Sequence, residues 1–503
     1  MVTFALSGST VRRGGADVLV LPFWSAGGGP APDPASDASV AAASALLGLD
    51  VAASVRRVPS FTGAVGEHVV VAGGAVGAPL LVALGVGAAP GSVDQVRAAA
   101  MHAGRSLRGY RRLVTTAAAV GPDRVASVRA FVEGFLLGSY DPPFTGSRAI
   151  DPAAAPVASV QLLVSPAEAR NAAFRRAVER GTVTGETAGW VRTLVEKPGG
   201  SLTPDDLADA IRTRARAAGV TCTIWSDRQL HARGFGGLLG VGQGSTHPPR
   251  LVELLGGRER LARGERPLAL TGKGITFDSG GINIKKDPAE IAWMKSDMAA
   301  AAAVAGAVIA AATLGLGAPV RALLPLAENM PGGRAIRPGD VLTHPGGRTS
   351  EVTDTDCEGR LVLADTIAYL AGQRPAGIID VGTLTDGGGV GHALWGAWGT
   401  DPALVRSLVA AGAAAGEPGW ELPLVPSYVE LMRSPVADIA NCSKVAPDSA
   451  ILAATYLRTF AGDVPWVHVD NGSSAYLERD ADGWPEGATG SPMRALLQLL
   501  EER

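Results

Sequence analysis

Met1-Val-Thr-Phe-Ala-Leu-Ser7 alternates apolar and polar positions as a strand does. Asp17-Val-Leu-Val-Leu-Pro22, His68–Val71 and Leu80–Leu84 are short apolar runs of strand length. Ala-rich helical stretches separate these runs, so residues 1–170 read as a smaller α/β domain. Within it Ser25 to Asp37, rich in Gly, Pro and Asp, is expected as a surface loop. A helix over about 168–196 links this domain to a larger one, 171–503, whose next helix opens at Leu202-Thr-Pro204. The fold class is α/β in two domains, with no internal repeat.

Further along, Asp287-Pro288-Ala289-Glu290 carries an N-cap, a proline at the first helical position and a glutamate three residues after the cap. Asp297 is therefore expected about two turns into a helix. From Met298 to Val320 no residue is charged and the segment is apolar on every side, which predicts a helix enclosed by other elements. Its length would suit a membrane span. Its Ala and Gly content and its ending in Gly315-Leu-Gly317-Ala-Pro319 favour a buried helix of a soluble protein. Ile282 and Ile284 alternate with Asn283 and Lys285, predicting a short strand with Lys285 on its polar face. Asp356, Glu358 and Arg360 are spaced by two and would share one face of an extended segment.

These placements turn the polar residues into candidate chemistry. An aspartate at the mouth of an apolar helix needs a cation, because an unpaired buried carboxylate costs several kcal/mol or more. Asp356 and Glu358 alone would read as a solvated face. In company with Asp278 and Asp297, and with Lys273 and Lys285 beside them, they make a set of four carboxylates whose charge two divalent cations would neutralise. Other motifs fall away. Pro267 stands where a phosphate loop needs its leading glycine before Gly272-Lys273. Gly240-Val-Gly242-Gln-Gly244 lacks dinucleotide spacing and reads as a turn. The seven histidines form no HExxH arrangement, so His468 reads as a core residue, and Ser279 stands in no nucleophile motif.

Composition narrows the class further. Forty-five Lys and Arg against forty-eight Asp and Glu give a net charge of −3, which offers no general attraction to nucleic acid or to an anionic membrane. Cys222, Cys357 and Cys442 have no CxxC spacing, so a disulfide framework is not expected. The N-terminus has no basic region followed by an apolar stretch, which predicts a cytoplasmic protein.

The two acidic stretches, Thr271–Asp297 and Asp354–Asp365, resemble those of the leucine aminopeptidase (cytosol aminopeptidase) family of two-metal exopeptidases. The likeness extends through Leu239–Ser245, Pro248–Arg250, Ala327–Pro331, Arg337–Asp340, Asp380–Thr385, His468–Asp470 and Gly487–Gly490. It implies a catalytic domain with a mixed central sheet flanked by helices. It also implies two divalent ions, Zn²⁺ or Mn²⁺: Asp278 and Glu358 would bridge them, Asp356 would complete one site, and Lys273 with Asp297 the other. Lys285 would stabilise the oxyanion, and Arg360 would hold an anion such as bicarbonate as proton shuttle. Met294, Thr383, Leu384 and Asp386 would contact the first substrate residue. The implied partners are peptides with a free N-terminus, in a homohexamer. Some family members bind DNA, so a DNA-binding or scaffold protein on the same fold is the alternative reading.

The chain also departs from the family pattern. The span from Lys285 to Asp297 is one residue longer. Asp386 stands where Gly-Ala is usual, Asp354 replaces an asparagine, Cys357 an alanine, and Asn471 an apolar residue. Ser443–Ser449 lacks paired glycines. Asp386 is expected to cap its turn or face solvent; a carboxylate pointing into the pocket there would instead disfavour a leucyl first residue and favour a basic or polar one.

Overall fold

The computed structural model describes residues 2–9, 16–27, 29–72, 79–142, 155–481 and 483–503. Met1 and Gly28, each inside a stretch read above, lie outside the described residues. The chain divides into two compact units, Met1–Gly189 and Trp190–Arg503.

The first unit holds strands β1 (Thr3–Ser7), β2 (Val18–Ser25), β3 (Ala31–Pro32), β4 (His68–Ala72), β5 (Leu80–Ala88), β6 (Arg112–Thr115) and β7 (Ser159–Leu163). They form one sheet in the order β1-β7-β6-β2-β5-β4, parallel except for β4, with β3 antiparallel on β2. Every residue of β2 but the last is buried, as a parallel strand covered on both faces requires. Helices Val93–Ser106 and Arg124–Ser139 approach closely because Gly134 and Gly138 lie against the backbone of Arg97 and Met101. A Cβ on Gly138 would stand 1.9 Å from the Met101 carbonyl oxygen.

Two expectations for this unit need correction. Ser25 to Asp37 is not simply a surface loop: β3 pairs with β2, and the buried Asp33 carboxylate accepts the Trp24 indole N–H at 2.7 Å. The span 168–196 is two helices, Pro166–Arg170 and Ala172–Glu196. Asn171 between them is extended, and its side chain caps the second helix by accepting the Ala173 N–H at 2.8 Å.

The second unit holds β8 (Thr221–Trp225), β9 (Arg250–Gly256), β10 (Leu268–Gly272), β11 (Gly274–Asp278), β12 (Val320–Asn329), β13 (Val341–Thr343), β14 (Thr349–Glu351), β15 (Gly377–Gly382), β16 (Trp395–Gly399), β17 (Gly419–Glu421), β18 (Ile439–Ala440) and β19 (Trp466–Asp470). The main sheet is mixed, in the order β17-β16-β19-β15-β10-β12-β9-β8 with β11 on β12. Its centre, β19-β15-β10-β12, is parallel, and antiparallel pairings flank it on both sides. Strands β13, β14 and β18 form a small separate sheet. Every residue of β10, β15 and β19 is buried. Helices cover them, among them Ala299–Thr313, Glu358–Ala371, Pro402–Ala415 and Ala450–Arg458.

The apolar segment after Asp297 is buried as expected. The stretch Pro288–Thr313 is long and apolar enough for a membrane span, yet 89% of its apolar window is buried inside the protein. Its small side chains let it sit against the sheet: a Cβ on Gly272 would be 2.6 Å from the Ala300 carbonyl oxygen. The helix start at Asp287 is as predicted, with its carboxylate accepting from Ala289 N–H. That helix ends at Trp293, however, and a 3-10 turn follows over Met294–Ser296. Asp297 therefore sits in the break between two helices rather than two turns into one.

Three further local expectations differ. Gly240 to Gly242 end a helix, Gly236–Gly242, in place of a turn. Ile282 and Ile284 lie in an irregular segment with their side chains exposed, because the backbone around Gly280 and Gly281 takes positive φ and breaks the extended conformation. Asp356, Glu358 and Arg360 do not share an extended face, since Glu358 opens the helix Glu358–Ala371.

Candidate metal centre

The parallel strands of the second unit all end at one edge of the sheet, where open α/β sheets place their ligands. Lys273 lies between β10 and β11, Asp278 is the last residue of β11, and Thr383 and Leu384 follow β15. Asp297 enters beside them from the helix break and Glu358 from the first turn of its helix, where the positive end of the helix favours a carboxylate.

The lysines read from the sequence meet the carboxylates directly. Lys273 Nζ is 2.9 Å from Asp297 Oδ2, 2.7 Å from Glu358 Oε1 and 3.0 Å from the Thr383 carbonyl oxygen. Lys285 Nζ is 3.0 Å from Asp278 Oδ2, 2.7 Å from Asp356 Oδ1 and 3.7 Å from Glu290 Oε1. One oxygen each from Asp278, Asp297 and Glu358 lie within 4.8 Å of one another, and all three residues are buried. Asp278 thus belongs to both groups, Asp297 with Glu358 on one hand and Asp356 on the other.

Neighbouring groups fix the Asp278 and Asp297 carboxylates and the backbone of Asp356. Asp278 Oδ1 accepts from the Gly280 N–H at 2.9 Å and from Asn329 Nδ2 at 2.8 Å, which turns Oδ2 toward Lys285. Thr383 Oγ1 donates to Asp297 Oδ1 at 2.7 Å, and Asp354 Oδ1 accepts the Asp356 N–H at 2.9 Å. Gly359 leaves room for the lysine: a Cβ there would stand 2.6 Å from Lys273 Cδ and Cε.

The protein's own charges do not satisfy this cluster. Four carboxylates and two ammonium groups leave a surplus of two negative charges. Asp297 Oδ2, Asp356 Oδ1 and both Glu358 oxygens have no hydrogen bond of acceptable geometry, although three of them lie 2.7–2.9 Å from an ammonium nitrogen. Burial, then the fields of Asp278 and Glu358, pushes the Asp356 carboxyl up to about 7. Burial likewise raises Asp297 and Glu358, with neighbouring carboxylates adding to it. Burial alone would lower both lysines, but the surrounding carboxylates outweigh it and hold them above the ordinary lysine range. Closely set oxygen donors with buried, unsatisfied lone pairs and one amine fit divalent cations. Two such ions would balance the four carboxylates and would press Lys273 toward the neutral amine that can ligate.

Beside the cluster opens a cavity of about 690 Å³ lined by Lys273, Asp278, Lys285, Asp297 and Asp356, and also by Met294, Thr383, Leu384 and Asp386. Asp386 is exposed, and its Oδ1 accepts the Gly388 N–H at 3.1 Å in a turn of glycines with positive φ. Glu358 and Arg360 do not line the cavity. Arg360 is bidentate to Asp448 at 2.9 and 2.6 Å and donates to the Asn441 carbonyl, so an anion such as bicarbonate would have to displace Asp448. His468 is buried in β19, with Nδ1 2.5 Å from Asp380 Oδ1 and its ring beside Trp398 and Trp466, as a core residue.

Sequence reasoning passed over several residues here. Asn329, which orients Asp278, lay within the family-like stretch Ala327–Pro331 but was given no role of its own. Trp293 and Tyr476 stack at 6.1 Å on the cavity lining, and Glu478 and Arg479 line it as well. Tyr476, Glu478 and Arg479 come from a segment without a motif of its own.

Residues 189–497 match the family model described as cytosol aminopeptidase family, catalytic domain. A probable cytosol aminopeptidase of Corynebacterium diphtheriae is 40% identical over 81% of this chain and 79% of its own. One of Streptomyces griseus subsp. griseus is 38% identical over 99% and 98%. Among solved structures, the bottromycin maturation enzyme BotP superposes with a TM-score of 0.81 at 34% identity, covering 97% of this chain and 99% of that one. A second structure of BotP is a complex with Mn.

Proposed function

The chain belongs to the cytosol aminopeptidase family, and from that premise we propose that it removes the N-terminal residue of peptides by metal-dependent hydrolysis at a dinuclear centre. The observation that carries the dinuclear reading is four closely set carboxylates with unsatisfied oxygens at the sheet edge, whose four negative charges two divalent ions would balance. Lys273, Asp278, Asp297, Asp356 and Glu358 would hold two divalent ions, Zn²⁺ or Mn²⁺, with Asp278 and Glu358 shared between them. Bound there, such ions polarise a scissile carbonyl and make an attacking water acidic near neutral pH.

The remaining work falls to this chain's side chains. Lys285 keeps its proton between Asp278 and Asp356 and is placed to donate to the carbonyl oxygen as negative charge develops on it. Met294, Thr383 and Leu384 receive the first side chain of the substrate, and Asp386 at the glycine-rich turn biases that position toward basic residues. Bicarbonate enters only as an anion that would have to displace Asp448 from Arg360, and no step runs through it. A homohexamer and a cytoplasmic location complete the proposal.

The test is hydrolysis of X-Gly dipeptides and aminoacyl amides by protein reconstituted with Mn²⁺ or Zn²⁺, beside Glu358→Gln. Turnover that falls by about a thousandfold or more in the variant is expected, since the substitution removes a shared ligand. Absence of turnover for every X in metal-loaded protein overturns the reading.

A further inference from the structure

Two of the positions at which the sequence departs from its family, Asp354 and Cys357, meet in space beside a third departure, the loop after Asn441. One ligand atom each from Asp354, Cys357 and Cys442 lie within 4.8 Å of one another. Both cysteines are free and buried. We propose that Cys357, Cys442 and Asp354 form a separate, sulfur-bearing site for a soft divalent cation such as Zn²⁺ or Cd²⁺, behind the loop that carries Asp356 and Glu358.

The geometry suits such an ion. A tetrahedral cation about 2.3 Å from each sulfur and about 2 Å from a carboxylate oxygen keeps its ligand atoms roughly 3.5–4 Å apart, within the observed spread. Asp354 is already oriented, because its Oδ1 accepts the Asp356 N–H at 2.9 Å. The Cys442 backbone is held by Thr353 through the N–H at 3.2 Å and the carbonyl at 2.7 Å. A fourth donor atom is close: Asp448 Oδ2 stands 3.7 Å from Cys357 Sγ. Arg360 is the cation that could repel an ion here, but its guanidinium is neutralised by Asp448. Two thiols and Asp354 then carry the charge an ion needs, each thiol losing its proton to solvent as its sulfur–metal bond forms.

Donor chemistry keeps this site apart from the catalytic cluster, which offers oxygens and an amine but no sulfur. An ion held here would tie residues 354–357 to residue 442. It would thereby brace the segment from which Asp356 and Glu358 project, without touching a substrate.

Cadmium reports the site directly, since a thiolate–cadmium charge-transfer band in the ultraviolet arises only where sulfur binds. Mn²⁺-loaded, reduced protein titrated with Cd²⁺ is expected to develop this band to saturation at one equivalent per chain. Cys222→Ser should keep the band; Cys357→Ala and Cys442→Ser should each lose it while keeping their Mn²⁺-dependent hydrolysis. Asp354→Asn, which keeps the hydrogen bond to Asp356 and removes only the charged donor, should keep the band and bind Cd²⁺ about tenfold or more weakly. It serves as the decisive variant if either cysteine substitution fails to fold. No band in the reduced wild type, or unchanged Cd²⁺ affinity in Asp354→Asn, overturns the proposal. So does a band that survives loss of either Cys357 or Cys442. Because the readout is absorbance, it stands whether or not the protein cleaves peptides.

Discussion

At the scale of single residues, the centre depends on side chains that have no slack. Gly359 is the clearest case, because a Cβ at that position would overlap Lys273 Cδ and Cε. Gly359→Ala is therefore expected to displace Lys273, lowering metal affinity at least tenfold by calorimetric titration while leaving the helix around it formed. Asp386 makes a different prediction, for specificity. Its carboxylate caps the turn through the Gly388 N–H and also lines the cavity. Asp386→Gly should shift the ratio of kcat/KM for leucyl over arginyl substrates upward by about tenfold, the order expected for removing a charge at the rim of a pocket that holds an apolar side chain. An unchanged ratio would leave Asp386 a turn-capping residue only. The ligand candidates themselves were legible from residue types and the family pattern. Asn329, Trp293 and Tyr476 were not, because nothing in their local sequence separates an orienting or lining role from ordinary packing.

At the scale of elements, short helices in the first unit are pinned by charge. Glu168 closes a capping box with Ser165 and receives Arg124 Nε at 2.7 Å and Nη2 at 3.0 Å. The bonds from Arg124, set against partial burial, hold the Glu168 carboxyl down at about 2. A lowered folded value means that this stabilisation is complete above the ordinary carboxylate value of 4.5 and is lost as pH falls toward about 2. Glu168→Gln should thus cost about 1–2 kcal/mol in urea unfolding near neutral pH, with the difference vanishing toward pH 2. Element boundaries were the least legible feature of the sequence. The helix after Asp287 and the buried run after Asp297 were read correctly, yet the break at Asp297 was not. Helical propensity is continuous there, and only the need to aim a carboxylate at the sheet edge explains the interruption.

At the scale of the whole molecule, the candidate ligands come from the segments 273–278, 297 and 356–358, brought together by one sheet edge of the second unit. Their mutual repulsion opposes folding of that edge until cations are bound, so ions that bind only the folded state should stabilise it. Removing metal with a chelator is expected to lower hydrogen-exchange protection in 271–297 and 354–360 and to restore it on adding Mn²⁺. Protection within Met1–Gly189 should stay constant. Equal loss in both units would argue against a metal centre confined to the second.

The sequence by itself determined the class of fold, the family and the identity of the charged residues. Those depend on periodicity and residue type, which short stretches of chain carry in full. It also led to the expectation that four carboxylates and two lysines in apolar company hold metal ions. Only the tertiary structure decided how they are shared: that Asp278 faces both lysine groups, that Arg360 is held by Asp448 away from the cavity, and that Cys357 meets Cys442 from 85 residues further along the chain. Each of these is a distance between segments remote in sequence, set by sheet order and helix packing. Local pattern carries no information about such distances.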